Sequence, residues 1–184
     1  MNLHLGCRHK NIPGFVNIDS CDLPHIHYNT SLNNLSMIND NSVDLIYSCH
    51  ILGYYDRFEV IPLLTEWKRV LKPKGVLRIA VPDFDQLIKV YNQTADLTKI
   101  LGPLYGRMEI DLGNNCKQLI YERTVYNYSL LEDILHKVGF EDVHRYDWRK
   151  TFHSEYDDYS QAYFPHMDKE NGLLISLNVE AIKK

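Results

Sequence analysis

Short apolar runs bounded by turn residues alternate, along this chain, with stretches in which apolar positions recur every three or four residues. Leu3 and Leu5 mark a strand that ends at Gly6, and Phe15 to Asp19 marks a second one ending in a carboxylate. A third strand is expected over Ile26 to Asn29, followed by a polar turn through Thr30, Ser31 and Leu32. Val43 to Cys49 runs apolar behind the turn chemistry of Asp40, Asn41 and Ser42, as a buried parallel strand should. From Arg57 to Leu71, Val60, Ile61, Leu64, Trp67 and Leu71 keep helical spacing, which predicts an amphipathic helix with Trp67 in the core. Lys72-Pro73-Lys74-Gly75 should stop that helix, and Val76 to Pro82 should be a further strand.

A helix is expected over Asp83 to Tyr91, with Asp83 able to serve as its N-cap. Between about Asn92 and Arg123 the periodicity fades; Gly102-Pro103, Tyr105-Gly106-Arg107 and Gly113-Asn114-Asn115 predict an irregular insertion on the substrate side. Ser129 and Glu132 form a capping box that opens a helix to about Val138, with Gly139 as its C-cap. Glu141 to Trp148 and Leu173 to Ile182 then read as strands joined by a polar loop over Arg149 to Gly172. Alternation in the last strand predicts a half-exposed, antiparallel strand near the sheet edge.

Strand, glycine turn, short crossover and acid-ended strand together point to a nucleoside site at the carboxyl ends of parallel strands. A dinucleotide fingerprint needs three spaced glycines and an acid about 20 residues on. Here one glycine serves and the acid comes sooner, which favours a single nucleoside, S-adenosylmethionine, over a nicotinamide cofactor. The Gly6 to Gly14 connection is too short for a full crossover helix, and its Arg8 or Lys10 could hold the cosubstrate's carboxylate.

The 184 residues suit one domain, 1–184, with a single core. A net charge of −4 argues against a chain built mainly to hold nucleic acid. Cys7, Cys21, Cys49 and Cys116 show no paired spacing, so neither a zinc knuckle nor a disulfide framework is indicated. With no leader-like segment and no apolar stretch of membrane-spanning length, a soluble, cytoplasmic protein is expected. Thirteen Tyr and nine His are many for this length and fit a polar, aromatic pocket of the kind sugars use.

Taken together, Leu3 to Cys7, Val16 to Asp19, Asp40 to His50 and Glu66 to Asp83 resemble class I S-adenosylmethionine-dependent methyltransferases. The likeness is greatest to the small type-11-like branch that accompanies glycosyltransferases in polysaccharide assembly, and Tyr146 to Arg149, Asp157 to Met167 and Ser176 to Ala181 are similar to its C-terminal part. The resemblance implies a Rossmann-like α/β fold, with a mostly parallel seven-stranded sheet in the order 3-2-1-4-5-7-6 and strand 7 antiparallel. It implies that Gly6 and Cys7 meet the methionine part and Asp19 the ribose, with Leu5 and Arg8 also among the cofactor-binding residues. Thr30, Ser31 and Leu32 would meet the adenine, with Ser48 and His50 also on the cofactor side. The chain departs from the branch in two places: Arg8 replaces a glycine of the turn, and Gly53-Tyr54 stands where Glu-His is usual. It also starts at the first strand, without a preceding lid helix.

The reading is an O-methyltransferase acting on a sugar hydroxyl of a glycan or polysaccharide precursor, releasing S-adenosylhomocysteine. Such a hydroxyl needs a proton acceptor within reach, and Asp83 and His50, both after strand ends, are the candidates. Acceptor recognition is expected from Tyr54, Tyr105 and Arg107, and from the late cluster of His153, Asp157, Asp158, Tyr159 and His166. No dedicated metal-ligand spacing occurs, so no metal is expected. A catalytically inactive binding or scaffold module of the same fold is the alternative, which the two departures permit.

Overall fold

The computed structural model describes residues 1–111 and 117–184, with the backbone alone for Asp111; the predicted break at Gly113-Asn114-Asn115, and Cys116, lie outside the described residues. In chain order the elements are β1 (Asn2–Leu5), β2 (Phe15–Asp19), β3 (Tyr28–Asn29), β4 (Val43–Cys49), α1 (Val60–Val70), β5 (Leu71–Pro82), α2 (Phe84–Thr94) and α3 (Thr98–Tyr105). They continue with β6 (Met108–Asp111), β7 (Lys117–Ile120), α4 (Tyr128–Val138), β8 (Phe140–Arg145), β9 (Tyr163–Phe164), β10 (Leu173–Leu174) and β11 (Ser176–Lys183). Seven strands form the main sheet in the order β3-β2-β1-β4-β5-β11-β8. The pairs from β3 to β5 are parallel, and β11 runs antiparallel to both β5 and β8. This is the order and the reversed strand that the resemblance implies.

Alternation along the strands sends residues to two covered faces. Leu3, Leu5, Ile46, Leu77, Ile79 and Val81 join the main core, which Leu63, Leu64 and Trp67 of α1 and Leu131 and Leu135 of α4 complete. Trp67 is fully buried and donates its indole N–H to the Leu32 carbonyl at 2.8 Å. His4, Phe15, Tyr47 and Arg78 face the other way, where Phe152 and His153 pack on them. Burial on both sides is why these strands carry near-continuous apolar runs.

Several boundaries differ from the sequence expectation, each for a local reason. The third strand keeps only Tyr28–Asn29. β5 begins at Leu71, directly after α1, because the chain pairs Leu71 with Val43 before Lys72–Gly75 bulge out and pairing resumes at Val76. α4 is capped by Asn127, whose side chain accepts the Leu130 N–H at 3.1 Å; a better-placed acceptor two residues upstream overrides the Ser129 box, while Gly139 ends the helix at φ +90 as expected. The stretch 92–123 is not irregular among its described residues. α2 extends to Thr94, and Leu87 and Val90 bury Ile100 of α3 against them; β6 and β7 then form an antiparallel hairpin. β11 is an interior strand, since β8 takes the edge beyond it.

Candidate functional site

The carboxyl tips of β1, β2 and β4 meet at one end of the sheet. After β1 the chain turns through Gly6 (φ +72) and Arg8 (φ +44), and His50, just past β4, is also left-handed at φ +52. Non-glycine residues held there carry strain, and the two follow neighbouring strand tips. The tips are stitched together. The Arg8 N–H donates to Asp19 Oδ2 at 2.8 Å, the Cys21 N–H donates to Asp19 Oδ1 at 2.9 Å, and Ser48 Oγ donates to the Leu5 carbonyl at 3.1 Å. Ile51 lies over Gly6, where any Cβ would collide with it, so the glycine serves close packing of the post-β4 segment on the turn.

His50 has a defined tautomer. Asn178 donates its amide to the Ser160 carbonyl, which leaves Asn178 Oδ1 to accept the Ser176 hydroxyl at 3.0 Å. Ser176 Oγ therefore accepts from His50 Nε2–H at 3.1 Å, and Nδ1 keeps a free lone pair. Burial pulls the imidazole pKa down to about 4, partly offset by Asp158, so the ring is neutral at pH 7. Tyr159 lies beside it with ring centroids 5.3 Å apart.

Asp83 is engaged otherwise. One carboxylate oxygen caps α2 through the Asp85 N–H at 3.1 Å, the other receives Arg145 at 3.1 Å, and the side chain is 1 % exposed. The expectation that it acts as the base is corrected accordingly: almost wholly buried, ion-paired to Arg145 and capping α2, it is a structural carboxylate that fixes the tip of β5 to β8. Asp83→Ala should cost about 3 kcal/mol in urea unfolding, from a lost cap and a broken ion pair, while leaving cosubstrate affinity unchanged. A variant as stable as the parent would return Asp83 to the list of catalytic candidates.

The remaining expected residues scatter. Leu32 is in the main core and Ser31 is exposed. Cys7 is buried, and burial pushes its thiol up to about 12. The Arg8 guanidinium bonds the Glu109 carbonyl of the β6–β7 hairpin at 3.2 Å, and Lys10 bonds the Asp157 carbonyl. Tyr54 donates to the Gly106 carbonyl at 2.8 Å, Tyr105 lines a cavity, and Arg107 is exposed. The late cluster does not form one acceptor site. His153 is packed on the back of the sheet against Tyr47 and Arg78, Asp157 pairs with Lys169 at 3.0 Å, and Asp158 caps the turn at Tyr159–Gln161 and accepts the Tyr47 hydroxyl at 2.6 Å. His166 is exposed, and of the five Tyr159 packs beside the His50 ring while Asp158 acts on it electrostatically. The loop from Arg149 to Gly172 is mainly the cover of the second sheet face.

One residue went unremarked in the sequence. Backbone bonds from the Arg123 and Thr124 N–H groups to the Gly53 carbonyl, at 2.6 and 3.2 Å, lay the segment 122–124 along the turn after β4. Glu122 thereby fills the space that a side chain at Gly53 would take. The signal was the departure at Gly53: a carboxylate missing from one segment is supplied from another, which spacing along the chain cannot reveal.

This geometry fits an adenosyl cosubstrate at the ribose. Each Asp19 oxygen spends one acceptor position on a backbone N–H, and a carboxylate has about four, so two remain for a diol. Residues 17–79 match the family model described as a methyltransferase domain. A search of curated proteins finds no match. Among solved structures, the chain is similar to an S-adenosylmethionine-dependent methyltransferase, possible histamine N-methyltransferase, from Thermotoga maritima (15% identity, TM-score 0.62, covering 100% of this chain and 82% of that one). It is also similar to an S-adenosylmethionine-dependent methyltransferase from Methanosarcina mazei (16%, 0.57, covering 99% and 91%). A third likeness is to 1,6-didemethyltoxoflavin-N1-methyltransferase from Burkholderia thailandensis with bound S-adenosylhomocysteine (14%, 0.55, covering 100% and 70%).

The fold is that of a class I methyltransferase. Family match and fold together support an S-adenosylmethionine-dependent methyltransferase with S-adenosylmethionine as its cosubstrate. No helix among the described residues is long and apolar enough to cross a membrane.

Proposed function

We propose that this protein transfers the methyl group of S-adenosylmethionine to a hydroxyl of a sugar in a glycan or polysaccharide precursor, in the cytoplasm and alongside glycosyltransferases. The observation that carries the reading is the meeting of Asp19, the Gly6–Arg8 turn and His50 at neighbouring parallel strand tips. Asp19 holds the ribose, and the turn holds the methionine end. The cosubstrate supplies a methyl group already activated by its sulfonium, so alignment of the acceptor is the main task left to the chain. His50, neutral and with Nδ1 open, accepts a hydrogen bond from a neighbouring hydroxyl of the sugar and so orients the ring. Tyr54, Tyr105 and Tyr159 offer the amphipathic ring surface that a sugar face prefers.

A second reading is a binding module of the same fold, favoured by the way Ile51 packs over Gly6. The two part in one experiment: a panel of sugar glycosides and deoxysugar glycans is incubated with isotope-labelled S-adenosylmethionine and followed by mass spectrometry. The enzyme reading expects one added labelled methyl on at least one member; cosubstrate binding with no methylated sugar would favour the module.

A further inference from the structure

Among the described residues, Glu122 is a carboxylate without a partner, packed against the turn after β4. Its Oε2 is buried and has no hydrogen-bond partner among the described residues. It lines a cavity of about 300 Å³ with Phe84, Leu104, Tyr105, Arg123, Thr124 and Val125. Phe84 follows the tip of β5, so the cavity opens at the same end of the sheet as Asp19 and His50. That volume is at the small end for ligand pockets and suits one small acceptor.

The placement is fixed by backbone. The Glu122 N–H donates to the Tyr105 carbonyl at 2.8 Å, and the next two N–H groups bond Gly53. Gly53 and Gly106 both lie under the carboxylate, and a Cβ at either would collide with it. Nearby cations are committed elsewhere: Arg123 bonds Glu59 and the Tyr54 carbonyl and faces Asp56 at 3.7 Å, and Arg8 bonds the Glu109 carbonyl. The groups that face Glu122 from neighbouring segments are the phenols of Tyr54 and Tyr126. An orphan carboxylate costs stability, and a chain that builds two glycines and three backbone hydrogen bonds around one has prepared it for a donor that arrives with the ligand.

We propose that Glu122 is the proton acceptor of the reaction, taking the proton of the acceptor hydroxyl as the methyl is transferred. The inference rests on the reading under Proposed function and adds the base to it. The acceptor's O–H bond breaks and an oxygen–carbon bond forms. The sulfur–methyl bond breaks with its electron pair going to sulfur, and the proton ends on Glu122. The positive sulfonium and the negative carboxylate are both neutral afterwards, so charge balances. Burial pushes this carboxyl up to about 8, which matches a base to an operating pH of 7 to 9 far better than His50 at about 4.

The test uses the full chain, Glu122→Gln and Gly53→Ala, which pushes the carboxylate aside without removing it. By carbon NMR on carboxyl-labelled protein, the resonance lost in Glu122→Gln should titrate near 8. Because the folded carboxyl holds its proton from its ordinary range up to about 8, the parent loses stability across that window as pH rises. Glu122→Gln should therefore melt several degrees higher than the parent at pH 8.5 and no higher at pH 5. On the glycoside methylated in the panel, both variants should lose roughly a hundredfold in turnover with S-adenosylhomocysteine affinity unchanged, and Glu122→Gln should lose the pH limb near 8. A Glu122 that titrates as an ordinary carboxylate, or a glutamine variant that keeps the parent's turnover and pH profile, overturns the proposal. An untouched panel would instead count against the sugar acceptor, and the NMR titration would still decide whether Glu122 is poised as a base.

Discussion

Asp19→Ala is expected to weaken S-adenosylhomocysteine binding more than tenfold by calorimetry, and to lower stability by about 2 kcal/mol at the same time. The first effect is loss of charge-assisted contacts to the ribose diol, for which tenfold corresponds to about 1.4 kcal/mol. The second comes from two backbone N–H groups, of Arg8 and Cys21, left without their acceptor in a place where Asp19 itself is only 7 % exposed. Asp19→Asn keeps the shape and one acceptor oxygen, so it should recover part of the stability but little of the affinity. Stability lost with affinity intact would mean that Asp19 is a turn anchor only, and that the adenosyl group lies elsewhere.

That dual role says something about how the site is built. The carboxylate that would receive the ribose also ties β1's turn to the end of β2, so one group both anchors the strand tips and offers the contact. The same economy recurs at β4, where Ser48 bonds β1 and His50 is oriented through Ser176, Asn178 and Ser160. Residues of β11 and of the turn before β9 thus set a tautomer at β4. A preset lone pair on Nδ1 loses little freedom when it meets a hydroxyl, which is where alignment gains its rate.

How much of this was legible depends on whether the signal was local. Leu3 to Asp19, Val43 to Cys49 and Val76 to Pro82 declared themselves because strands covered on both faces need apolar runs, and α1 because its apolar stripe keeps helical spacing. Asp19 and His50 were legible as strand-end residues, and the sheet order was legible through the resemblance. Asp83 was ambiguous because N-caps and bases favour the same residue types at the same place, and only Arg145, 62 positions away, decides between them. The late loop misled because polar and aromatic residues read as a ligand pocket, whereas Asp158 and His153 in it bond Tyr47 and Arg78, polar strand residues that an apolar cover could not satisfy. Glu122 left no local trace at all, since its meaning comes from Gly53 across the fold.

The buried histidines make the second large prediction: this fold should lose stability steeply between pH 7 and pH 5. His4 and His153 are 2 % and 1 % exposed, and burial holds each imidazole pKa down to about 4. Arg78 donates to His153 Nε2 at 3.1 Å, so that nitrogen must be unprotonated, and His4 Nδ1 is buried without a partner among the described residues. Asp158 pulls both the other way, but less than burial does. The unfolded chain binds these protons near 6.5, while the folded chain refuses them until about 4. Between those values the unfolded state holds more protons, and stability falls as pH falls. From pH 7 to pH 5 the loss is roughly 2 kcal/mol for each of His4, His153 and His50, whose pKa burial likewise holds at about 4. Glu122, raised to about 8, returns roughly 2 kcal/mol because its folded carboxyl already holds a proton that the unfolded chain lacks. Urea unfolding at the two pH values should show it, and His153→Gln should flatten the dependence by about half. A stability that stays level from pH 7 to pH 5 would mean that the second sheet face takes up water or protons freely, and that its late-loop cover is loose.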